Sequence, residues 1–156
     1  MSHAEKEVPH QVVVFRVAET RYAIDIAGVD EILAVPPITP IAGAPNGVVG
    51  LVNIRGRVAP VFDLRWKFGV STKSDEQGCR LVLVETGAGP VALHVDSVEE
   101  VRTVGQGEIQ PVRTPGAGEG LGYLRGVLRR ADELVLWVDH LTLVPDSAVR
   151  SLRLVA

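Results

Sequence analysis

Short apolar or alternating runs, broken every few positions by turn formers, dominate the chain. Gln11 to Val17, Arg21 to Asp25, Val29 to Val35, Val48 to Arg55 and Arg57 to Phe62 each carry such a run. Glu19-Thr20, Pro36-Pro37, Pro45-Asn46-Gly47 and Gly56 separate them. β-Branched side chains suit a pleated, half-buried surface, and Gly, Pro and Asn supply the backbone angles of turns, so the pattern predicts five strands. Arg80 to Glu85, Pro90 to Val95, Ser97 to Val104, Tyr123 to Arg129 and Glu133 to Val138 predict five more, with Gly87-Ala88-Gly89 dividing the first two. Helical periodicity is confined to Leu64 to Phe68 and Leu141 to Val144, with an extension through Asp146 to Leu154. Regular short strands with frequent turns predict an all-β fold of barrels or a sandwich.

The chain also repeats itself. Tyr22 to Ile32 overlies Val91 to Val101 without a gap, 69 positions on, and the preceding strand keeps that offset. Gly50-Leu51-Val52 matches Gly126-Val127-Leu128, and Val58 to Asp63 matches Leu134 to Asp139, both 76 positions on. The seven extra residues are assigned to the Gly/Pro-rich stretch Thr114 to Gly120. Each half is therefore expected to form one five-stranded unit. A unit that small buries a limited share of its surface, so the two are expected to share an interface as subdomains of one folding domain. The organisation expected is a flexible N-terminal arm over 1–10, a domain over 11–145 and a C-terminal tail or helix over 146–156. Within the domain the first repeat covers about 11–75 and the second about 76–145.

Composition narrows the chemistry. Valine supplies 27 of the 156 residues and aromatics only 4%, so the core must rest on many aliphatic contacts and few large rings. A net charge of -3 provides no basic field to concentrate nucleic acid or anionic lipid. The lone Cys79 cannot close an internal disulfide or a multi-thiolate metal site, and points to a reducing compartment. Met1 to Glu7 lacks the apolar stretch of a secretion signal, and no run approaches the roughly eighteen apolar residues of a membrane span. These features lead us to expect a cytoplasmic chain without nucleic-acid binding or membrane insertion.

Motifs of catalysis are missing. Gly116, Gly118 and Gly120 suggest a phosphate loop, but a dinucleotide fingerprint needs glycine where Leu121 stands, and no Gly-Lys-Ser/Thr occurs. His3, His10, His94 and His140 have no metal-ligand spacing, and His94 and His140 fit strand and capping roles. Asp63 and Asp139 are repeat equivalents that each follow a strand and precede a short helix, which is the setting of an N-cap. Cys79 lacks a nucleophile's sequence context. No catalytic residue, metal or cofactor is expected.

Duplicated halves share folding requirements, so positions where they differ show what one half alone must do. Asn53-Ile54-Arg55-Gly56-Arg57 sets two arginines around a glycine at a strand-to-strand turn, where the second half has Arg129-Arg130-Ala131-Asp132. A solvated hairpin accounts for both tips. A recognition role for Arg55 draws on the guanidinium's ability to bridge carboxylates and carbonyls in fixed geometry.

The chain resembles the CheW-like domain of bacterial chemotaxis coupling proteins, from about Gln11 to Val144. Phe15 with Tyr22-Ala23-Ile24-Asp25-Ile26 and Val29-Asp30-Glu31-Ile32 carry part of the likeness. Its most specific part is Gly50-Leu51-Val52-Asn53-Ile54-Arg55-Gly56, followed by Pro60-Val61-Phe62-Asp63-Leu64-Arg65. Val95-Asp96-Ser97-Val98, Tyr123-Leu124-Arg125-Gly126-Val127 and Leu136-Trp137-Val138-Asp139 extend it through the second half. Ile54 stands where the family usually has Leu, and Ala23 where Gly is common.

The resemblance implies two interlocked five-stranded SH3-like barrels with a short C-terminal helix. It implies a non-catalytic adaptor that joins the cytoplasmic tip of methyl-accepting chemoreceptors to the regulatory domain of the histidine kinase CheA, recruited to membrane-associated arrays where it also meets other CheW-like domains. By motif match, Val13, Ile26, Val29 and Val98 would line an apolar receptor groove, with Glu31 and Arg55 as polar partners and Asn53 and Gly56 beside them. A scaffold of a pathway for pilus motility, development or second-messenger control is the alternative.

Overall fold

A computed structural model describes residues 10–71, 77–112, 122–150 and 152. The first half contains β1 (His10–Val17), β2 (Thr20–Asp25), a 3-10 turn η1 (Ile26–Gly28), β3 (Val29–Ala34), β4 (Val48–Ile54), β5 (Arg57–Asp63) and α1 (Leu64–Lys67). The second contains β6 (Arg80–Thr86), β7 (Gly89–Val95), β8 (Ser97–Val104), η2 (Gln106–Glu108), β9 (Ile109–Pro111), β10 (Leu124–Arg130), β11 (Glu133–Val138), α2 (His140–Leu143) and α3 (Asp146–Arg150). All ten expected strands form. The eleventh, β9, is three residues long and ends on a proline, too short to show periodicity.

The strands make a six-stranded sheet, β8-β1-β2-β11-β10-β9, and a five-stranded sheet, β3-β6-β7-β5-β4. Neither sheet is one half of the chain, which corrects the expectation of a five-stranded unit per repeat. Hairpin β1–β2 pairs with β8 and, in parallel, with β11, while hairpin β6–β7 pairs with β3 and, in parallel, with β5. The connectors explain the exchange. Only Asp96 separates β7 from β8, and β7 ends with Val95 beside Arg80 at the start of β6. To close on its own half, β8 would have to begin near Glu85, five residues along β6, or about 17 Å away at the rise of an extended strand. The two Cα steps from Val95 to Ser97 span about 7 Å at most. The chain must cross to the other sheet, so each sheet needs both halves.

Three apolar clusters follow from that layout. The central one draws Phe15, Val17, Tyr22 and Ile24 from the larger sheet, Val82, Val84, Val91, Leu93 and Val95 from the smaller, and Leu143 and Val149 from α2 and α3. Val12, Val14, Ala23, Leu128, Val135 and Trp137 fill the larger sheet, and Val52, Val61, Leu81, Leu83 and Ala92 the smaller. Successive residues of a strand point to opposite faces. Leu81-Val82-Leu83-Val84 is therefore apolar throughout because β6 has a cluster on each side.

Local rules hold where the sequence suggested them. Asp63 and Asp139 accept hydrogen bonds from the backbone N–H of Arg65 and Leu141, each at 2.9 Å, and cap α1 and α2. A partner to β9 is nearly absent in the first half, where Thr39 makes one bridge to Leu51 amid Pro36, Pro37 and Pro40, which have no N–H to donate. Of the expected arm, residues 1–9 lie outside the described residues and His10 opens β1; the insertion at Thr114 to Gly120 also lies outside them. Among the described residues, no helix is long and apolar enough to cross a membrane.

Candidate functional site

The tip of the β4–β5 hairpin turns on Arg55 and Gly56, both left-handed, with φ of 53° and 85°. Two such residues give the turn twist that matches paired strands, and the Asn53 carboxamide oxygen accepts the Gly56 N–H at 2.8 Å. Ala131, the repeat equivalent of Arg55, also has φ of 53°. The turn thus fixes the backbone without needing an arginine. Arg55 nevertheless extends a side chain that is 82% exposed, its Nη2 3.3 Å from the Glu31 carboxylate on β3. Beside it Arg57 Nη2 lies 2.8 Å from Glu85 and Nη1 3.9 Å from Asp30.

Val29 and Val98 are half-buried and pack against the same central cluster, from β3 of the smaller sheet and β8 of the larger. Val29 sits opposite Val84, and Val98 opposite Phe15, which are equivalent pairs in the repeat. Ile26 lies in η1, where the chain crosses between sheets, and is 37% exposed. Val13 is corrected: it is 1% exposed and presents nothing to a partner. Strand β1 lies between β2 and β8, and its neighbours Val12 and Val14 belong to the cluster on the opposite face, so both faces are covered. Of the expected residues, the fold brings together Glu31 with Arg55 and Asn53 with Gly56, sets Val29 and Val98 on one cluster, leaves Ile26 accessible and buries Val13.

Two charged groups escaped the sequence reading. Arg65 on α1 makes a bidentate pair with Asp96, Nε to Oδ1 at 2.8 Å and Nη2 to Oδ2 at 2.6 Å. Burial works to raise the Asp96 pKa, but the Arg65 hydrogen bonds and the Ala18 N–H hold it below the ordinary carboxylate value. Arg102 is buried in β8 and donates to Glu100 and Glu133, at 2.7 and 3.0 Å, while its Nε has no partner. Those two hydrogen bonds hold its pKa above the usual arginine value. Both positions carry a signal in the repeat: Arg65 stands where the second half has Leu141, and Arg102 where the first has Leu33.

Comparison with known proteins follows this geometry. The model of the CheW-like domain matches residues 11–148. The chemotaxis protein CheW of Rhizobium meliloti is 27% identical over 149 residues, 94% of this chain and 96% of the relative. That of Helicobacter pylori is 30% identical over 126 residues, 80% of this chain and 75% of the relative. The crystal structure of the scaffolding protein TtCheW from Thermoanaerobacter tengcongensis superposes with a TM-score of 0.77 at 29% identity, covering 88% of this chain and 93% of that one.

Proposed function

We infer the function from one premise: the chain belongs to the CheW-like family, and so is a non-catalytic adaptor of chemotaxis signalling. Its partners are the cytoplasmic tip of a methyl-accepting chemoreceptor and the regulatory domain of the kinase CheA, with other CheW-like domains as neighbours in an array. It works in the cytoplasm and is drawn to the membrane through the receptor. Asn53, Arg55 and Gly56 at the hairpin tip, Glu31 on β3, and Ile26, Val29 and Val98 form the receptor-facing surface.

The observation that supports this surface is the equivalence of Val29 and Val98, each half-exposed against the one cluster shared by both sheets. A seam walled by short aliphatic side chains suits the apolar stripe of a helical hairpin, and an ion pair at its end supplies polar selectivity. The test is a titration of a receptor-tip fragment against wild type, Ile26→Asp and Val98→Asp, with circular dichroism melts on the same samples. Ile26→Asp should stay folded and lose at least about tenfold in affinity, since a desolvated, unpaired carboxylate is costly. Unchanged affinity in both folded variants would remove the seam as the receptor surface.

A further inference from the structure

We propose that Arg65 and Asp96 are positioning residues for partner binding: they latch the crossing between the two sheets and thereby fix the Val98 wall, without touching the partner. The proposal rests on the receptor-facing surface described above. Asp96 is the single residue by which the chain leaves β7 in the smaller sheet and enters β8 in the larger. Its carboxylate accepts Arg65 Nε and Nη2, and Oδ2 also accepts the Ala18 N–H at 2.8 Å. Arg65 Nη1 donates to the Ser71 carbonyl at 2.6 Å. One ion pair therefore ties together the helix after β5, the segment that follows it, the β1–β2 turn and the crossing. Ala18 is held in left-handed backbone, φ 54°, with its N–H hydrogen-bonded to that carboxylate.

The other crossing is held differently: Asp25, where β2 ends, pairs with Arg125 at 3.0 Å and accepts Trp137 Nε1 at 3.0 Å, but all three residues belong to the larger sheet, so the pair does not reach across. The repeat places Ala27 where the second half has Asp96, and Leu141 where the first has Arg65. Turn η1 has no side-chain cap, and what abuts it is the His140 ring, packed so closely on Gly28 that a Cβ there would overlap it. Among the described residues, the charged pair two residues before Val98 thus reaches from the crossing to the helix after β5, whereas the pair at the other crossing stays within the larger sheet. A bidentate guanidinium–carboxylate pair fixes orientation as well as distance. Once it is broken, the crossing keeps the backbone bond from Asp96 N–H to the Arg16 carbonyl, 2.9 Å, which constrains the strand start but not its tilt against α1. The two side chains are 14% and 18% exposed, too little to contribute much surface to a partner.

The test uses the full chain with Arg65→Gln, Asp96→Asn and Arg65→Lys, at a temperature where each is folded. Amide hydrogen exchange is read at Ala18, at Val98 and in β10–β11, and affinity is read with a receptor-tip fragment. The Gln and Asn variants should speed exchange at Ala18 and Val98 while leaving β10–β11 unchanged, and should weaken the fragment by about tenfold, the scale of one charge-assisted contact. Arg65→Lys, which keeps the charge and loses the fork, should recover part of both. Faster exchange with unchanged affinity would reduce the latch to a structural role, and equal acceleration in β10–β11 would make it general loosening; either overturns the proposal. A wild-type chain that does not bind the fragment would overturn the functional reading itself, and the positioning role with it.

Discussion

Arg102 places Nη1 3.0 Å from the Glu133 carboxylate at a position where the other half of the repeat has Leu33. The charges around it answer those at the end of the smaller sheet, with the sign reversed at two of three equivalent positions. Arg57, Asp30 and Glu85 group at the end of the smaller sheet, and their repeat equivalents Glu133, Glu99 and Arg16 group at the end of the larger. The reversal matches the exchange of hairpins. Glu85 on β6 lies beside Arg57, whereas within its own half it would meet Glu99 and Glu133. Arg16 and Arg21, from the hairpin of the first half, instead reach Glu99, at 3.7 and 2.6 Å. Like charges at such spacing disfavour the unexchanged pairing, so electrostatics and the short β7–β8 link select the same topology.

Arg102→Leu should be much milder than Arg102→Ala. A buried ion pair gains little net energy over a well-packed apolar residue, and the buried Nε here lacks a partner. Leucine copies the other half, and Glu133 keeps Arg21 at 3.7 Å. Urea unfolding should put Arg102→Leu within about 1 kcal/mol of wild type and Arg102→Ala about 2–4 kcal/mol below it, the difference being the cavity that alanine leaves. Equal losses would mean that the ion network, not packing, holds this end of the sheet.

Acid should weaken the fold through Asp96. Its pKa is lowered in the folded chain, so its stabilising contribution is complete above the unfolded value of about 3.9 and disappears as pH falls through the folded one. The stability gap between wild type and Asp96→Asn should therefore be widest near neutrality and narrow below about pH 4. Glu100 and Glu108 also have lowered pKa values, through Arg102 and Arg130, and add to wild-type acid sensitivity without affecting that difference. A gap that stays constant down to pH 2 would show that Asp96 is not held below its ordinary value.

Gly50 and Gly56 should respond oppositely in kind to alanine. A Cβ on Gly50 would overlap the Thr39 carbonyl, which is backbone and cannot rotate away, and its repeat equivalent Gly126 would meet the Gln110 carbonyl at 2.8 Å. Gly56 has open space but a φ of 85°. Gly50→Ala should cost more than about 2 kcal/mol and open the Thr39–Leu51 bridge, whereas Gly56→Ala should cost about 1 kcal/mol, the left-handed penalty alone. Thermal melts with exchange at the Leu51 amide distinguish the two.

Strands, caps and the duplication were legible because each is written locally, in period-two runs, in Asp63 and Asp139, and in the two offsets. The exchange of hairpins was written in connector length and in the charges at the sheet ends, constraints that appear once Val95 is known to lie beside Arg80 and Glu85 beside Arg57. Val13 was misplaced because a valine in a strand covered on both faces looks the same as one at a seam. Comparing the halves singled out Arg55, and the same comparison at Leu33 and Leu141 would have found Arg102 and Arg65. What no single sequence position encodes is that Arg65 and Asp96, 31 residues apart, meet across a crossing.

Charge reversal separates the two roles open to Arg55 and Glu31. If their 3.3 Å pair only tethers the hairpin to β3, then Arg55→Glu and Glu31→Lys should each be harmful alone and the double swap should restore function. If both side chains recognise a receptor, the double swap restores the internal pair but presents each charge at the wrong place. We expect the second outcome. Each single variant should lose about tenfold or more in affinity for a receptor-tip fragment, and the double variant should remain as weak. Unfolding midpoints should hardly move, because an exposed ion pair contributes about 0–1 kcal/mol. Recovery of binding in the double variant would return the pair to a hairpin tether and leave recognition to Ile26, Val29 and Val98.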